Sequence, residues 1–482
     1  MPSNAAKNFS ECDRGLVLAP AGCGKTHLIA ESVGHATGRQ LVLTHTLAGV
    51  DALRTKLTNL GVPAAKYRVT TIDSLALSYS SAFPRLAGWD CRYPNDDKEW
   101  SALRVATCRL LDHDAPRRVL RASYAGVFVD EYQDCCGTQH AMISKIADVL
   151  PCRIVGDPLQ AIYRKLHGND VAEWSQVERL FPIVDVLTEP YRWRKRNPEL
   201  GEWLIDVRSR LERGNEIDFA NGSSIIEWIP SADVQDQIAT CYRAFDRNSV
   251  VAICDWPSRC AAVAGKTRGH FTVLESVGCP DLLRAAETIE NSIGLKRVEF
   301  VVGFARRCFT GMTLLNDLLD RMKKGKAYAP RSPDKVRLWA AMQEVAESTD
   351  LRAVEKMMTA IAGLSDAHFY IRRELWSDMM RVLRINDSSS GKSLRDSAWS
   401  LRDHARRYGR AIPQRTIATP LLIKGLEFEH ALLLDAMHMG TAEELYVALT
   451  RGSRSLTVLS SKRKVRHEVP AWIAEASQAT DA

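Results

Sequence analysis

The stretch that most constrains the fold is Leu16-Val-Leu-Ala-Pro-Ala-Gly-Cys-Gly-Lys-Thr26. Residues 16–18 form a short apolar run, which predicts a buried parallel strand. The run stops at a turn of small residues, with Ala19 in the first small position of the phosphate-loop pattern. Gly24-Lys25-Thr26 then enters His27-Leu-Ile-Ala30, which has helical character. Strand, loop and helix in that order suit triphosphate binding. Backbone N–H groups over Ala21, Gly22, Cys23 and Gly24 would wrap the phosphates, and the helix N-terminus points its partial positive charge at them. Lys25 would reach the β- and γ-phosphates, and Thr26 would hold Mg²⁺. The loop implies a nucleoside triphosphate, though not its use.

Length and composition bound the rest. By the usual prior, 482 residues hold about three or four domain-sized units. With 45% hydrophobic and 26% charged residues, the composition is that of an ordinary globular protein. No apolar run approaches the ~20 residues of a membrane span. The polar first ten residues lack the apolar stretch of a signal peptide, so a cytosolic protein is expected. The twelve cysteines are scattered, without a Cys-x-x-Cys pair, and Cys135 and Cys136 are adjacent. That pattern suits neither zinc nor an iron–sulfur cluster, and reduced, buried thiols are expected. A net charge of +7 permits a polyanionic partner without requiring one.

Along the chain, residues 41–46 and 69–72 read as strands, with a helix over 47–60 between them. Residues 76–125 read as a small insertion. Trp89, Tyr93 and Trp100 within it suit either base stacking or small-domain core packing. Residues 126–129 form a strand running into Asp130-Glu131. A helix over 140–150 leads to a strand at 152–155 and then Gly156-Asp157. Such alternation marks a doubly wound α/β sheet with ligands at the carboxyl ends of its strands. A second alternation, with strands at 250–254, 271–274, 431–435 and 456–459, predicts a second α/β domain. A helical segment over 279–410 interrupts it, with a flexible joint at Ser388-Ser-Ser-Gly391. Its basic clusters, at Arg321-Met-Lys-Lys-Gly-Lys326 and residues 402–410, suit either phosphate contact or a solvated helix face.

In a P-loop ATPase, Asp130 would order the Mg²⁺ shell and Glu131 would polarise the attacking water. The full stretch Asp130-Glu-Tyr-Gln-Asp134 resembles the Asp-Glu-x-Gln-Asp motif of superfamily-one helicases of the UvrD/Rep/PcrA type. Other stretches follow in that family's order. Gly156-Asp-Pro-Leu-Gln160-Ala-Ile-Tyr163 resembles motif III, whose glutamine senses the γ-phosphate. Glu189-Pro-Tyr191-Arg192 resembles motif IV, where the tyrosine stacks on adenine and the arginine contacts the γ-phosphate. Lys424-Gly-Leu-Glu427-Phe428 resembles motif V, its glutamate near the ribose. Leu445-Tyr-Val-Ala-Leu-Thr-Arg451 resembles motif VI, which makes Arg451 the arginine finger. Arg192 would otherwise be an ion-pair partner in a charge run, and Arg451 a helix cap. Thr44-His45-Thr46 and Thr71-Ile-Asp-Ser74 lie where the family's single-strand contacts belong, and Tyr163 is a further stacking position.

The resemblance implies an α/β chain of two RecA-like, doubly wound parallel-sheet motor domains. Residues 1–75 and 126–188 would form the first, with 76–125 inserted. Residues 189–278 and 411–465 would form the second, with 279–410 inserted and 466–482 as a tail. It also implies an ATP- and Mg²⁺-dependent helicase or translocase moving 3′ to 5′ on single-stranded or tailed duplex DNA. The other reading is a sensor or regulatory ATPase that does not unwind and serves a nuclease partner, as compact members of this family do in antiviral defence. A plain P-loop kinase or small GTPase explains neither Asp130–Asp134 nor the late arginine. Departures from the family pattern cluster on the nucleic-acid side. His45 replaces an aromatic, Asp73 and Leu421 replace histidines, and Lys165-Leu166 replaces an aromatic–arginine pair. The family's adenine-reading glutamine ahead of the P-loop is missing as well, and Tyr191 would be left to contact the base.

Overall fold

The computed structural model describes residues 4–90, 94, 97–163, 172–221, 224–274, 280–329, 332–369, 372–386, 393–408, 412–470 and 472–473. Tyr93, Lys165-Leu166, the joint at 388–391 and the side chains of 402–410 lie outside the described residues.

The first sheet has six parallel strands: β1 (Arg14–Leu18), β2 (Gln40–Thr44), β3 (Tyr67–Thr71), β4 (Gly126–Val129), β5 (Cys152–Gly156) and β6 (Ile183–Val186). Their order is β3-β2-β4-β5-β1-β6. In register, Leu16 of β1 faces Ile154 of β5, and Val42 of β2 faces Phe128 of β4. A parallel sheet is covered on both faces, so its strands read as continuous apolar runs. The two-residue period then divides each run between two cores. Val17, Val42, Phe128 and Val155 pack under α1 (Asn4–Glu11), α2 (Lys25–His35) and α3 (Leu47–Asn59), with Phe9, Ile29 and Leu53. Leu16, Leu41, Leu43, Val127, Val129 and Ile154 face the opposite way. They meet Leu75 of α4 (Ile72–Ala82), Leu103 of the helix Asp97–Leu110, and Met142 of the helix Gly137–Ala147. Trp89 and Trp100 of the small insertion lie partly buried against this second core. Core packing is therefore the role in which the structure places them.

The remaining strands are β7 (Ile217–Asp218), β8 (Glu227–Ile229), β9 (Val250–Ile253), β10 (Thr272–Val273), β11 (Phe309–Thr310), β12 (His368–Phe369), β13 (Arg415–Ala418), β14 (Phe428–Leu433), β15 (Gly452–Leu459) and β16 (Lys464–Val465). Six of them make the second sheet, in the order β10-β13-β9-β14-β15-β8. The two sheets and their flanking helices give the α/β architecture that the sequence predicts. The strand expected at 431–435 begins earlier, at Phe428.

The chain divides into two compact units. The first comprises residues 1–230, 424–431 and 436–482; the second comprises 231–423 and 432–435. Within the second unit, helices from Pro280–Asn291 to Leu394–Tyr408 enclose a core of their own. Val298, Phe304, Leu338, Met357, Trp376 and Met379 lie inside it. The antiparallel pair β11 and β12 packs against it, with the Phe309 and Phe369 rings 4.0 Å apart. Arg321 of the basic cluster lies over the Tyr328 ring at 5.5 Å. No described helix is long and apolar enough to cross a membrane.

Candidate nucleotide site and strand-end contacts

The site is built inside the first unit, at the carboxyl ends of its strands. After β1 the chain turns through Gly22 (φ 72°) and Gly24 (φ 93°), left-handed conformations that L side chains rarely adopt. Gly24 is the N-cap of α2 and offers no side-chain cap. The first-turn N–H groups are thus left for another acceptor. A Cβ on Gly22 would fall 2.5 Å from the Trp193 ring, so only glycine fits beneath that indole. Lys25 is buried, and its Nζ lies 3.1 Å from Glu131 Oε2. Thr26 is half-buried one residue on. Burial raises the Cys23 thiol to about 12, so it stays neutral.

Strand β4 delivers Asp130 and Glu131. Asp130 is buried and accepts the Glu131 N–H at 2.9 Å. Glu131 itself sits at φ 54°, a strained backbone position for a residue with a side chain. The two carboxyl groups separate electrostatically. Burial, reinforced by the Glu131 charge, pushes Asp130 up to about 7. Burial also works against the Glu131 charge, but Lys25 and Lys424 outweigh it and hold Glu131 well below the usual carboxylate range. Gln133 bridges onward: its Nε2 donates to Glu131, and its Oε1 accepts the Asp157 N–H at 2.9 Å. Gln160, 4% exposed, donates to Asp157 Oδ2 at 2.6 Å. Lys424 donates to both Asp134 and the Gln160 carbonyl, and its Nζ lies 5.1 Å from the Tyr163 ring centroid.

The segment carrying Tyr191 and Arg192 lies on the phosphate loop. The Arg192 N–H donates to the Gly22 carbonyl at 3.1 Å. Its guanidinium donates to Glu427 at 2.6 and 2.9 Å and to the Thr450 carbonyl at 2.8 Å. Tyr191 is half exposed, its ring 3.4 Å from where a Gly24 Cβ would stand. Trp193 is buried, and its indole N–H donates to the Gly452 carbonyl at 2.7 Å. Arg451 is 1% exposed and turned inward. It donates to the carbonyls of Val447 and Leu426, and to the Thr450 hydroxyl. Burial, with Arg192 nearby, lowers it to about 9. Both arginines thus occupy the bland alternatives as well, Arg192 in an ion pair and Arg451 at a helix end.

These residues fit a magnesium triphosphate. The glycine cradle, the uncapped start of α2 and buried Lys25 form a cationic bed. Thr26 and Asp130 are the oxygen donors that could hold the metal.

The strand-end residues expected on the nucleic-acid side lie at the carboxyl ends of the adjacent strands β2 and β3. Thr46 caps α3, accepting the Gly49 N–H at 3.0 Å. Thr71 caps α4, accepting the Ser74 N–H at 3.0 Å and donating to the Ser74 hydroxyl. Thr44 is buried. His45 lies 3.5 Å from Cys135 Sγ, and burial lowers it to about 4, so it carries no charge at neutral pH. Asp73 accepts from Arg104 Nε and Nη2, at 2.7 and 2.9 Å, and from Gln139.

Asp157 and Lys424 stand inside motif stretches of the sequence that assign them no role of their own. No motif marks Arg208 or gives Tyr446 a role, yet Arg208 donates to Asp157 at 2.6 Å and the Ala21 N–H donates to the Tyr446 hydroxyl at 3.3 Å.

Comparison with known proteins bears on part of this. Residues 94–181 match the UvrD/REP helicase N-terminal domain. That segment carries Asp130, Glu131 and Gln160, and it supports the resemblance to superfamily-one helicases. No curated protein matches the chain. Among solved structures, it is similar to arterivirus nonstructural protein 10, a helicase, in complex with DNA. Identity there is 14%, over 52% of this chain and 49% of that chain, with a TM-score of 0.27. For nonstructural protein 10 without DNA the values are 11%, 95%, 61% and 0.32. The chain thus spans only 49% and 61% of the chains in those two structures. It is also similar to Pif1 helicase from Bacteroides in complex with ADP-AlF3 and ssDNA, at 11% identity over 100% of this chain and 98% of that chain, with a TM-score of 0.39.

Proposed function

We propose that the chain is an ATP-dependent DNA translocase or helicase of the UvrD-like kind, moving 3′ to 5′ on single-stranded DNA. Residues 1–75 and 126–188 would form its first motor domain, and residues 189–278 and 411–465 its second. The observation that carries the reading is one bonded cluster. Lys25, Glu131, Gln133, Asp157 and Gln160 are linked by direct hydrogen bonds, and Arg192 donates to the loop that holds Lys25.

In this reading the glycine loop and Lys25 bind the β- and γ-phosphates, and Thr26 and Asp130 hold Mg²⁺. The metal supplies charge neutralisation on the phosphate oxygens. Glu131, ionised beside Lys25, orients and deprotonates water, and Gln160 reads the γ-phosphate. Arg192 and Arg451 must leave Glu427 and the carbonyls of Val447 and Leu426 to face the developing charge. That rearrangement would be the power stroke. Tyr191 offers its exposed ring to the base, and Glu427, once released, the ribose. Thr44, His45, Thr46, Thr71, Ser74 and Tyr163 would line the DNA track.

A second reading rests on Asp73, which its ion pair with Arg104 commits to the protein rather than to DNA. It makes the chain a DNA-sensing ATPase that does not unwind and acts with a nuclease subunit. Strand displacement on a 3′-tailed duplex separates the two: displacement by the isolated chain supports the first, and DNA-stimulated hydrolysis without displacement supports the second. Under either, Lys25→Ala and Glu131→Gln should lower kcat by at least ~100-fold. Activity surviving in either variant sinks the shared motor assignment.

A further inference from the structure

Helix Pro198–Glu212 starts from an Asn197 cap that accepts the Leu200 N–H at 3.1 Å, and it carries no catalytic motif. Its tenth and eleventh residues, Val207 and Arg208, face inward. The Arg208 side chain is only 12% exposed and ends on two acids. Nη1 lies 2.6 Å from Asp157 Oδ1, and Nη2 lies 2.9 Å from Glu212, one helical turn on. The face of the guanidinium covers the Tyr446 ring, with Cζ 5.5 Å from its centroid. Arginine suits such a place because one planar group can fork between carboxylates and stack at the same time.

What Arg208 holds is the core of the site. Asp157 is fully buried, and its two oxygens are divided: Oδ1 takes Arg208 and the Leu159 N–H, and Oδ2 takes Gln160 Nε2. The Asp157 N–H reaches Gln133, which reaches Glu131, which pairs with Lys25. On its other side Arg208 braces Tyr446, whose hydroxyl accepts the Ala21 N–H of the phosphate loop. Hydrogen bonds thus run from Arg208 to the glutamine, the acid and the lysine that the proposed hydrolysis uses. A buried carboxylate without its counter-charge turns toward the next cation, and Lys25 lies in the same field.

We propose that Arg208 is a positioning residue for hydrolysis, fixing Gln160 through Asp157. The proposal rests on the ATPase reading above. It requires that Arg208 matter when a γ-phosphate is present and little when it is not.

The test uses the full chain with Arg208→Met, Arg208→Lys, Gln160→Ala and the double variant Arg208→Met with Gln160→Ala. Arg208→Lys keeps the buried charge neutralised, so it carries the test if the methionine variant does not fold. ATP turnover by the wild type, abolished in Lys25→Ala, is established first; its absence overturns the ATPase reading itself. Given that turnover, Arg208→Met should lower kcat by roughly 10- to 100-fold, with Arg208→Lys intermediate. Affinity for a non-hydrolysable ATP analogue should fall in step, while ADP affinity changes by less than about threefold. The double variant should be no slower than the slower single variant, because both changes break one linkage. Equal losses for ADP and the analogue, or additive losses in the double variant, overturn the positioning role. Wild-type kcat in Arg208→Lys together with an unchanged ADP-to-analogue ratio overturns it too.

Discussion

Asp130 and Glu131 are neighbours in the chain, yet their surroundings drive their protonation apart. Glu131 has Lys25 at 3.1 Å, whereas Asp130 is buried beside a second acid and is pushed from 3.8 up to about 7. Between those values native Asp130 keeps a proton that the unfolded chain releases. Its contribution to stability is therefore greatest below 3.8 and is lost as pH rises through about 7. Holding Mg²⁺ requires the carboxylate, so binding of magnesium with an ATP analogue should expel close to one proton at about pH 6 and almost none above about pH 8. Calorimetric titration in two buffers of different ionisation enthalpy measures this. An Asp130→Asn variant should release about one proton fewer than the wild type at about pH 6, and equal release by the two would contradict the assignment. The acids, the lysine and both arginines were legible in the sequence because each belongs to a spaced pattern. Arg208 was not, because a buried ion pair on an amphipathic helix looks like any surface arginine until the helix is packed. The inward turn of Arg451 was also invisible, since the motif names the residue and not its rotamer.

At the scale of elements, the buried strands β1, β2, β4 and β5 were the easy ones. Each is an apolar run covered on both faces, and the two cores explain why the runs are unbroken. Strands β6, β8 and β13 escaped. Strand β6 lies at the sheet edge with Ile183, Val184 and Val186 more than 40% exposed, and β8 and β13 are three and four residues long. Neither is an unbroken apolar run, with Glu227 in β8 and Arg415 and Thr416 in β13. Thr46 and Thr71 were expected to meet nucleic acid, and both hydroxyls are engaged in starting helices. The link most specific to this chain is Trp193. Its indole fills the space above Gly22, bonds Gly452 and abuts Gly201, so one side chain ties the phosphate loop to two later segments. Trp193→Ala should cost about 3–5 kcal/mol, read from urea unfolding. A loss below about 1 kcal/mol would mean that the loop is held without it.

At the scale of the whole molecule, the acids, the phosphate loop, Gln160, Arg192, Arg208, Glu427 and Arg451 all belong to the first compact unit. The helical core between Leu282 and Ala398 belongs to the second and is built from its own side chains. The sequence places residues 189–278 and 411–465, with motifs V and VI, in a second motor domain interrupted by 279–410, whereas the compact units part after residue 230 and the first holds residues 424–431 and 436–482. Units with separate cores need not melt together, and a ligand raises only the transition of the part that it binds. Differential scanning calorimetry should therefore resolve a transition that magnesium with a non-hydrolysable ATP analogue moves upward, by about 2.7 kcal/mol of added stability at a hundredfold excess over Kd. A second transition, belonging to the helical core, should stay in place. Lys25→Ala should abolish the shift of the first without altering the second. A single transition, or two that rise together, would mean that nucleotide binding and the helical core share one cooperative unit, and that the second unit senses the nucleotide directly.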